Sequence, residues 1–264
     1  MANSVTKLTG VTFTGSLPRL ERDGIIPPTG ALWLFDAAVS APGSLAVNGT
    51  WENLVRGSPA ATIKNTTGLS VAGNGLVFAG TGGYLSAGDS YNLTGKSLIM
   101  TATIKYQSIT SGFSATMGRG TSGGASCQFM LGHLSSASTA IRSSGTVKVG
   151  GASDPAAGHI AVATAGTIYH IAMAVQISGA DTVFTRYLNG TQVGQETVTG
   201  GTGLWAPPSA NGIGIGRYDG NGSQSAYRGT IYRLYAEDLT ASGRTPAQVV
   251  AAGYAIATQA GRYS

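Results

Sequence analysis

The amino-acid sequence predicts an all-β fold, a sandwich of two antiparallel sheets with one short C-terminal helix. Two stretches of about ten residues alternate between apolar and polar or small side chains, as half-buried strands do. Glycine, 41 of 264 residues, is about twice its usual ~7% share, yet it is scattered singly at turn positions, which means many turns rather than a repeat or linker. The last third then runs hairpin, glycine-flanked strand, second strand and capped helix, an order that closes a sandwich.

Residues 1–30 differ from the rest. They hold Val11-Thr12-Phe13-Thr14, a mixed-charge patch at Arg19, Glu21, Arg22 and Asp23, and Ile25-Ile26-Pro27-Pro28. The two prolines fix φ and remove two backbone donors, so the stretch is extended and marks a boundary. It reads as an N-terminal arm, either packed on its own domain or docked on another subunit. Ala31-Leu32-Trp33-Leu34-Phe35-Asp36 is a compact apolar strand. In Ser97–Gln107, Leu98, Met100, Ala102, Ile104 and Tyr106 share one face; in Thr167–Ile177, Tyr169, Ile171, Met173, Val175 and Ile177 do. Between 110 and 165 the alternation is too weak to set a strand order. Val183–Val198 is a hairpin turning at Asn189-Gly190, one of five Asn-Gly pairs (Asn48, Asn74, Asn189, Asn211, Asn221) suited to tight turns. Ile213–Arg217 and Gly229–Tyr235 are the following strands. Thr245 is an N-cap, Pro246 suits the first helical position, and Gln248 sits where a capping-box partner reaches back. There is no internal repeat, so residues 31–264 form one sandwich domain.

Composition narrows the partners. Only 10% of residues are charged, against ~25% in ordinary domains. The net charge of +5 comes from basic residues spread singly, with no run of three, so nucleic acid is not an expected partner. Cys127 is the only cysteine and cannot form an intrachain disulfide. The start lacks the apolar core of a signal peptide and no stretch reaches ~18 apolar residues, so synthesis in a reducing cytoplasm without membrane insertion is expected. The five Asn-x-Ser/Thr sites follow from composition and carry no glycosylation meaning without a secretory signal.

In order along the chain, Leu32-Trp33-Leu34-Phe35-Asp36, Gly75-Leu76-Val77-Phe78, Tyr84-Leu85-Ser86, Leu93–Met100, Tyr169-His170-Ile171-Ala172-Met173, Tyr187-Leu188-Asn189-Gly190, Ile215-Gly216-Arg217 and Gly229-Thr230-Ile231-Tyr232 resemble the strands of the laminin G-like members of the concanavalin A-like lectin and glucanase jelly rolls. The step from Gly229 to Leu239 is irregular against that pattern. The resemblance implies a concanavalin A-like jelly roll and, given the arm, low charge and lack of disulfides, a bacteriophage virion component such as a tail or decoration protein. It further implies a homo-oligomer held to other virion proteins by the arm, with host-surface glycan as its ligand.

Little in the sequence points to catalysis. Glycosidases of the common type need two carboxylates flanking the bond. Here the only adjacent acids are Glu237-Asp238, and the Glu-x-Asp-x-x-Glu signature of the glucanase branch is absent. Cys127 lies in an apolar strand and reads as a buried thiol. His133, His159 and His170 lack the spacing of a zinc site. Asp219-Gly220-Asn221-Gly222-Ser223 spaces oxygens as a calcium loop does, but Gln224 and Thr230 stand where glycine and glutamate belong, so a polar turn is the better reading. Asp36 is a second, weaker calcium candidate. No cofactor is therefore expected. Sugar sites use aromatic platforms with polar neighbours on loops; Trp51, Trp205, Tyr218 and Tyr227 are the loop aromatics. The candidate ligand site is Trp205, Tyr218, Asp219, Asn221, Tyr227 and Arg228. The expectation is a virion protein that is not an enzyme and attaches to glycan, with a purely structural decoration or connector subunit and a glycan-degrading enzyme as the alternatives.

Overall fold

The computed structural model describes residues 26–107, 113–120, 127–134, 140–149, 152–162, 164–206, 211–219 and 226–263. The chain runs through β1 (Ala31–Asp36), α1 (Ala37–Ser40), β2 (Thr50–Trp51), β3 (Ala61–Asn65), β4 (Leu69–Ala72), β5 (Gly75–Ala79) and β6 (Tyr84–Ser86). The long strands follow: β7 (Leu98–Tyr106), β8 (Phe113–Gly120), β9 (Cys127–Leu134), β10 (Ala140–Val149), β11 (Ala152–Val162), β12 (Ile168–Ser178) and β13 (Asp181–Leu188). It ends with β14 (Thr191–Val198), β15 (Gly201–Leu204), β16 (Gly214–Ile215), β17 (Arg228–Asp238), α2 (Leu239–Ser242) and α3 (Pro246–Ala257).

Two antiparallel sheets form the sandwich. The first has the order β14-β13-β12-β7-β17-β5-β4, with β1 added beside the second half of β17. The second has the order β11-β10-β9-β8-β16-β6-β3-β2, with β15 on β10. The strand order that weak alternation left open between 110 and 165 is thus a meander, β8 to β11. The alternating faces read from the sequence go inward: Leu98, Met100, Ala102, Ile104, Tyr169, Ile171, Met173 and Val175 meet Ile63, Leu85, Met117, Phe129, Leu131 and Ile215 of the second sheet. The hairpin turns at Asn189 (φ 47°) and Gly190 (φ 86°), the two left-handed residues a two-residue turn needs.

The irregularity near Gly229 is a β-bulge. Ile231 pairs with Ile104 and Arg233 with Thr103, so Tyr232 is an extra residue in β17. Beyond it Leu234 and Ala236 point into the sandwich, while Arg233, Tyr235 and Glu237 take the outer face. That face is not solvated. Leu34, Ile99, Ala172, Ala174 and Tyr235 are covered by Leu239 of α2 and Val249, Val250 and Ile256 of α3. Helix α3 starts as expected, with the Thr245–Gln248 capping box and Pro246 in its first turn.

Beside this cover lies a buried charge cluster. Asp36 caps α1 through the Ala38 N–H (3.0 Å) and pairs with Arg233 and, at 2.7 Å, with Arg262 of the C-terminal tail. Glu237 is held by Arg244, and Asp238 pairs with Lys96 at 2.9 Å and caps α2. Of the expected arm, residues 1–25 lie outside the described residues. Residues 26–30 join the sandwich: Ile26 packs against the α3 cluster, Gly30 accepts from the Asp238 N–H, and Thr29 donates to the Ala241 carbonyl.

His170 is buried under α3, so close to Gly253 that a Cβ there would lie 2.7 Å from Nε2. Neither ring nitrogen has a hydrogen-bond partner among the described residues. Burial, and secondarily the charge of Arg233, holds its pKa down at about 4.

Two outcomes follow from this packing. Asp36→Ala strands the buried Arg233 guanidinium, and a loss of about 3–5 kcal/mol is expected in denaturant unfolding. The unfolded chain protonates His170 near pH 6.5, the folded chain only near 4. Its contribution to stability is therefore whole above pH 6.5 and falls toward pH 4, by about 3 kcal/mol in all. His170→Leu should remove that part of the slope when unfolding free energy is measured from pH 7 to 4.

Candidate functional site

Residues 212–216 read Gly-Ile-Gly-Ile-Gly. Ile213 and Ile215 are buried in the inter-sheet core, and Gly212 and Gly214 occupy the alternate, outward positions. Gly216 (φ 81°) then reverses the chain, its N–H bonded to the Thr116 carbonyl and its own carbonyl to the Tyr227 N–H. Residues 217–219 consequently lie back across the outer face of the second sheet. A Cβ on Gly214 would overlap the Arg217 carbonyl oxygen. One on Gly118 of β8 would come within 2.6 Å of the Tyr218 ring, and one on Gly212 within 2.7 Å of the Asp219 carboxylate. Bare backbone at three positions makes room for the overlay.

Its three side chains go three ways. Tyr218 is buried against Ala115, Cys127 and Met130, with its hydroxyl 3.0 Å from the Cys127 sulfur. Burial pushes the Cys127 thiol up to about 12, and burial with the adjacent thiol raises the Tyr218 phenol well above its usual range. Arg217, half-buried, stacks its guanidinium 4.0 Å over the Tyr84 ring centroid. Asp219, also half-buried, accepts from the Ser86 hydroxyl, whose oxygen accepts from the Gly88 N–H at 3.2 Å. Beside Arg217, Asn65 at the end of β3 accepts from the Thr67 N–H at 2.8 Å, which leaves its amide as a donor directed toward Gly82. A cationic, aromatic corner and an acidic, hydroxyl corner thus flank the buried Tyr218 on one face.

The candidate residues from the sequence divide accordingly. Asp219 is in the overlay. Arg228 is exposed, its stem against Gly80 on the edge next to Arg217's loop. Trp205 is half-buried on the rim, its N–H on the Thr146 carbonyl and its carbonyl accepting from Gln128. Tyr218 and Tyr227 are corrected: neither is a platform. Tyr227 is core, edge-on to Phe78 at 5.8 Å, with its hydroxyl on the Lys105 carbonyl and its phenol pushed far up by burial. Trp51 is likewise core, packed on Phe35. Asn221 lies outside the described residues, as does the expected calcium loop beyond Asp219. Asp36, the other calcium candidate, has arginines where a cation would sit. No group of three or more His, Cys, Asp or Glu suited to a metal occurs among the described residues. The side chains of His133 and His159 lie outside them. Sequence reading passed over Arg217, Tyr84 and Asn65; the alternating glycines of 212–216 were the signal that could have found them.

The sandwich, its closing strand and the order of its motifs have a match among protein families. Residues 79–242, more than half the chain, match the laminin G-type model of the concanavalin A-like lectin/glucanases superfamily. The chain belongs to this superfamily. No curated protein matches it in sequence. Among solved structures, Trypanosoma rangeli sialidase in complex with the inhibitor DANA aligns over 90% of this chain and 34% of its own, with a TM-score of 0.57 and 17% identity. The same sialidase in complex with sialic acid aligns over 85% and 32%, with a TM-score of 0.57 and 16% identity. The CBM40 of Ruminococcus gnavus IT-sialidase bound to α2,6 sialyllactose aligns over 60% and 83%, with a TM-score of 0.42 and 12% identity. The chain spans about a third of the length of the trypanosome sialidases. At these identities the likeness is one of fold.

These matches overturn the expectation that the chain is not an enzyme, since the sandwich of this lectin/glucanase member aligns with part of sialidase chains. That expectation rested on missing paired carboxylates. Sialidases, with a tyrosine nucleophile, are an exception to the two-carboxylate rule, so the test did not address them.

The overlay can be checked through its thiol. Native Cys127 should resist Ellman's reagent at pH 8, and Gly214→Ala, at a cost of about 1–3 kcal/mol, should expose it. A native thiol that reacts as fast as in denaturant would contradict the burial described.

Proposed function

We propose that this lectin-like sandwich binds carbohydrate on the outer face of its second sheet, where Arg217, Asn65, Asp219 and Ser86 surround the overlay. The observation that carries the reading is the pairing of a stacked, half-buried arginine with a half-buried carboxylate on one rigid strand return. Sugar hydroxyls are both donors and acceptors, and they are selected by polar groups held in place beforehand. Arg217 is held by Tyr84 and Asp219 by Ser86, both residues of strand β6. Arg228 lies beside the Arg217 corner, its stem against Gly80.

The setting proposed is a virion, with residues 1–30 attaching the sandwich to other virion proteins in a homo-oligomer and the overlay turned toward host-surface glycan. The resemblance of the strand motifs supports this, as do the low charge and a turn-dense fold that needs no disulfide outside the cell.

A glycan array tests the reading. The full chain should retain a defined set of glycans, and the double variant Arg217→Ala/Asp219→Ala should lose at least about tenfold in apparent affinity, the effect of one or two charged hydrogen bonds, with Cys127 still protected. An empty array, or an unchanged array with the variant, would refute it.

A further inference from the structure

We infer that the Arg217 corner is a seat for an oxyanion, so that the glycan proposed above is an acidic one, carrying a carboxylate or sulfate group at that point. This rests on the preceding reading of the overlay as a glycan site, but its observations are separate.

The first is an unmet charge. Arg217 Nε is buried and has no hydrogen-bond partner, and no carboxylate pairs with the guanidinium, among the described residues. A buried donor without an acceptor is costly, more so when charged. Arg142 Nε and Arg233 Nε and Nη2 are also buried without a hydrogen-bond partner among the described residues, but the Arg233 charge is met by Asp36, as Arg262 is by Asp36, Arg244 by Glu237 and Arg186 by Glu196; Arg217 has an aromatic ring in that place. Stacking on Tyr84 occupies a face of the guanidinium and fixes its plane, leaving edge donors for a ligand.

The second is convergence. The position a Cβ would take on Gly82 lies 3.9 Å from Asn65 Nδ2 and 4.0 Å from Arg217 Nη1, with no other atom of the described residues within 4 Å apart from Gly82 and its chain neighbours. Two donors, one at the end of β3 and one on the return after β16, thus border one open point. Gly82 has φ 106°, which other residues rarely adopt, so the space is kept clear by backbone conformation as well as by the missing side chain. A single oxygen at that point would be too far from either nitrogen, but a carboxylate or sulfate centred over it spreads its oxygens toward the two donors, and the planar fork of arginine suits such paired oxygens.

The third is polarity. Arg228 lies along the same loop at Gly80, adding positive charge. The nearest acid of the overlay, Asp219, is on the other side of Tyr218 and is engaged with Ser86. An acidic sugar can therefore be oriented, its anionic group at Arg217 and its hydroxyls toward Asp219.

The probes are a glucuronate-containing tetrasaccharide, its carboxyl-reduced neutral counterpart, the same neutral sugar bearing one sulfate ester, and inorganic sulfate. Calorimetry measures affinity for the sugars, and NMR follows Arg217 Nε and the Asn65 side-chain amide during sulfate titration. The acidic sugars should bind at least about tenfold more tightly than the neutral one, and Arg217→Gln should abolish that preference, a charged hydrogen bond contributing about that much. Arg217→Lys should restore it only in part, and Cys127 protection checks that each variant keeps the overlay. A preference for the glucuronate over the sulfate ester, or the reverse, identifies the group while supporting the seat. Equal binding of neutral and acidic sugars overturns the inference and leaves the glycan reading standing. Sulfate that shifts both reporters while no sugar binds supports the seat and overturns the glycan reading. If neither reporter moves with sulfate and no acidic sugar is preferred, there is no seat.

Discussion

The outer face of the second sheet depends on backbone lying directly against backbone. Where the chain turns at Gly216 and returns over β16, nothing larger than hydrogen fits at Gly214, and Gly118 on the adjacent strand must be as bare to admit the Tyr218 ring. Once the return is seated, its alternation does the rest. Tyr218 points down to close over Cys127, and Arg217 and Asp219 are left on either side, each caught by a β6 residue, Tyr84 or Ser86. The polar pair is therefore positioned by sheet geometry. The conformational entropy of ordering two charged side chains is met when the protein folds and not when a ligand arrives, which is how preorganised sites gain affinity.

The first sheet solves the same problem differently. Its outer face is roofed by α2 and α3, and the bulge at Tyr232 makes this possible by turning Arg233, Tyr235 and Glu237 outward while Leu234 and Ala236 keep the core continuous. The charges so placed are paired in a dry layer, Asp36 with two arginines and Glu237 with a third. Such pairs add little net stability over apolar packing but make the loss of one partner expensive, so they specify the arrangement more than they strengthen it. With that face occupied by helices, the second sheet is where the described part of the sandwich presents ordered polar groups on a return of the chain.

The sequence was most legible where a pattern has one structural meaning. The alternation of β7 and β12, the Asn189-Gly190 turn and the Thr245 capping box each became the predicted element, because period, left-handed φ and cap chemistry are local. The doubtful register after Gly229 was also local, a single extra residue. The site was less legible. Tyr218, Tyr227 and Trp51 looked like rim aromatics because nothing local distinguishes an exposed ring from one that plugs a face. Their burial is set by Gly118 and by Phe78 and Phe35, each far away in sequence. Arg217 was read as a strand residue for the same reason: its partner, Tyr84, is supplied by β6. The expectation of no catalysis fell because it tested one carboxylate arrangement on a fold that also aligns with sialidase chains.

The superfamily defines the scaffold, and the proposed chemistry lies on a glycine-permitted return that leaves an arginine on an aromatic ring, its Nε buried and without a hydrogen-bond partner among the described residues. The most direct measurement is a crystal structure of the full chain with the glucuronate-containing tetrasaccharide. The account predicts density over Gly82, with the carboxylate oxygens within hydrogen-bond distance of Arg217 and of the Asn65 amide and with sugar hydroxyls at Asp219. Density seated instead at Trp205 or on the edge strand β14, with the Arg217 corner holding only solvent, would contradict it.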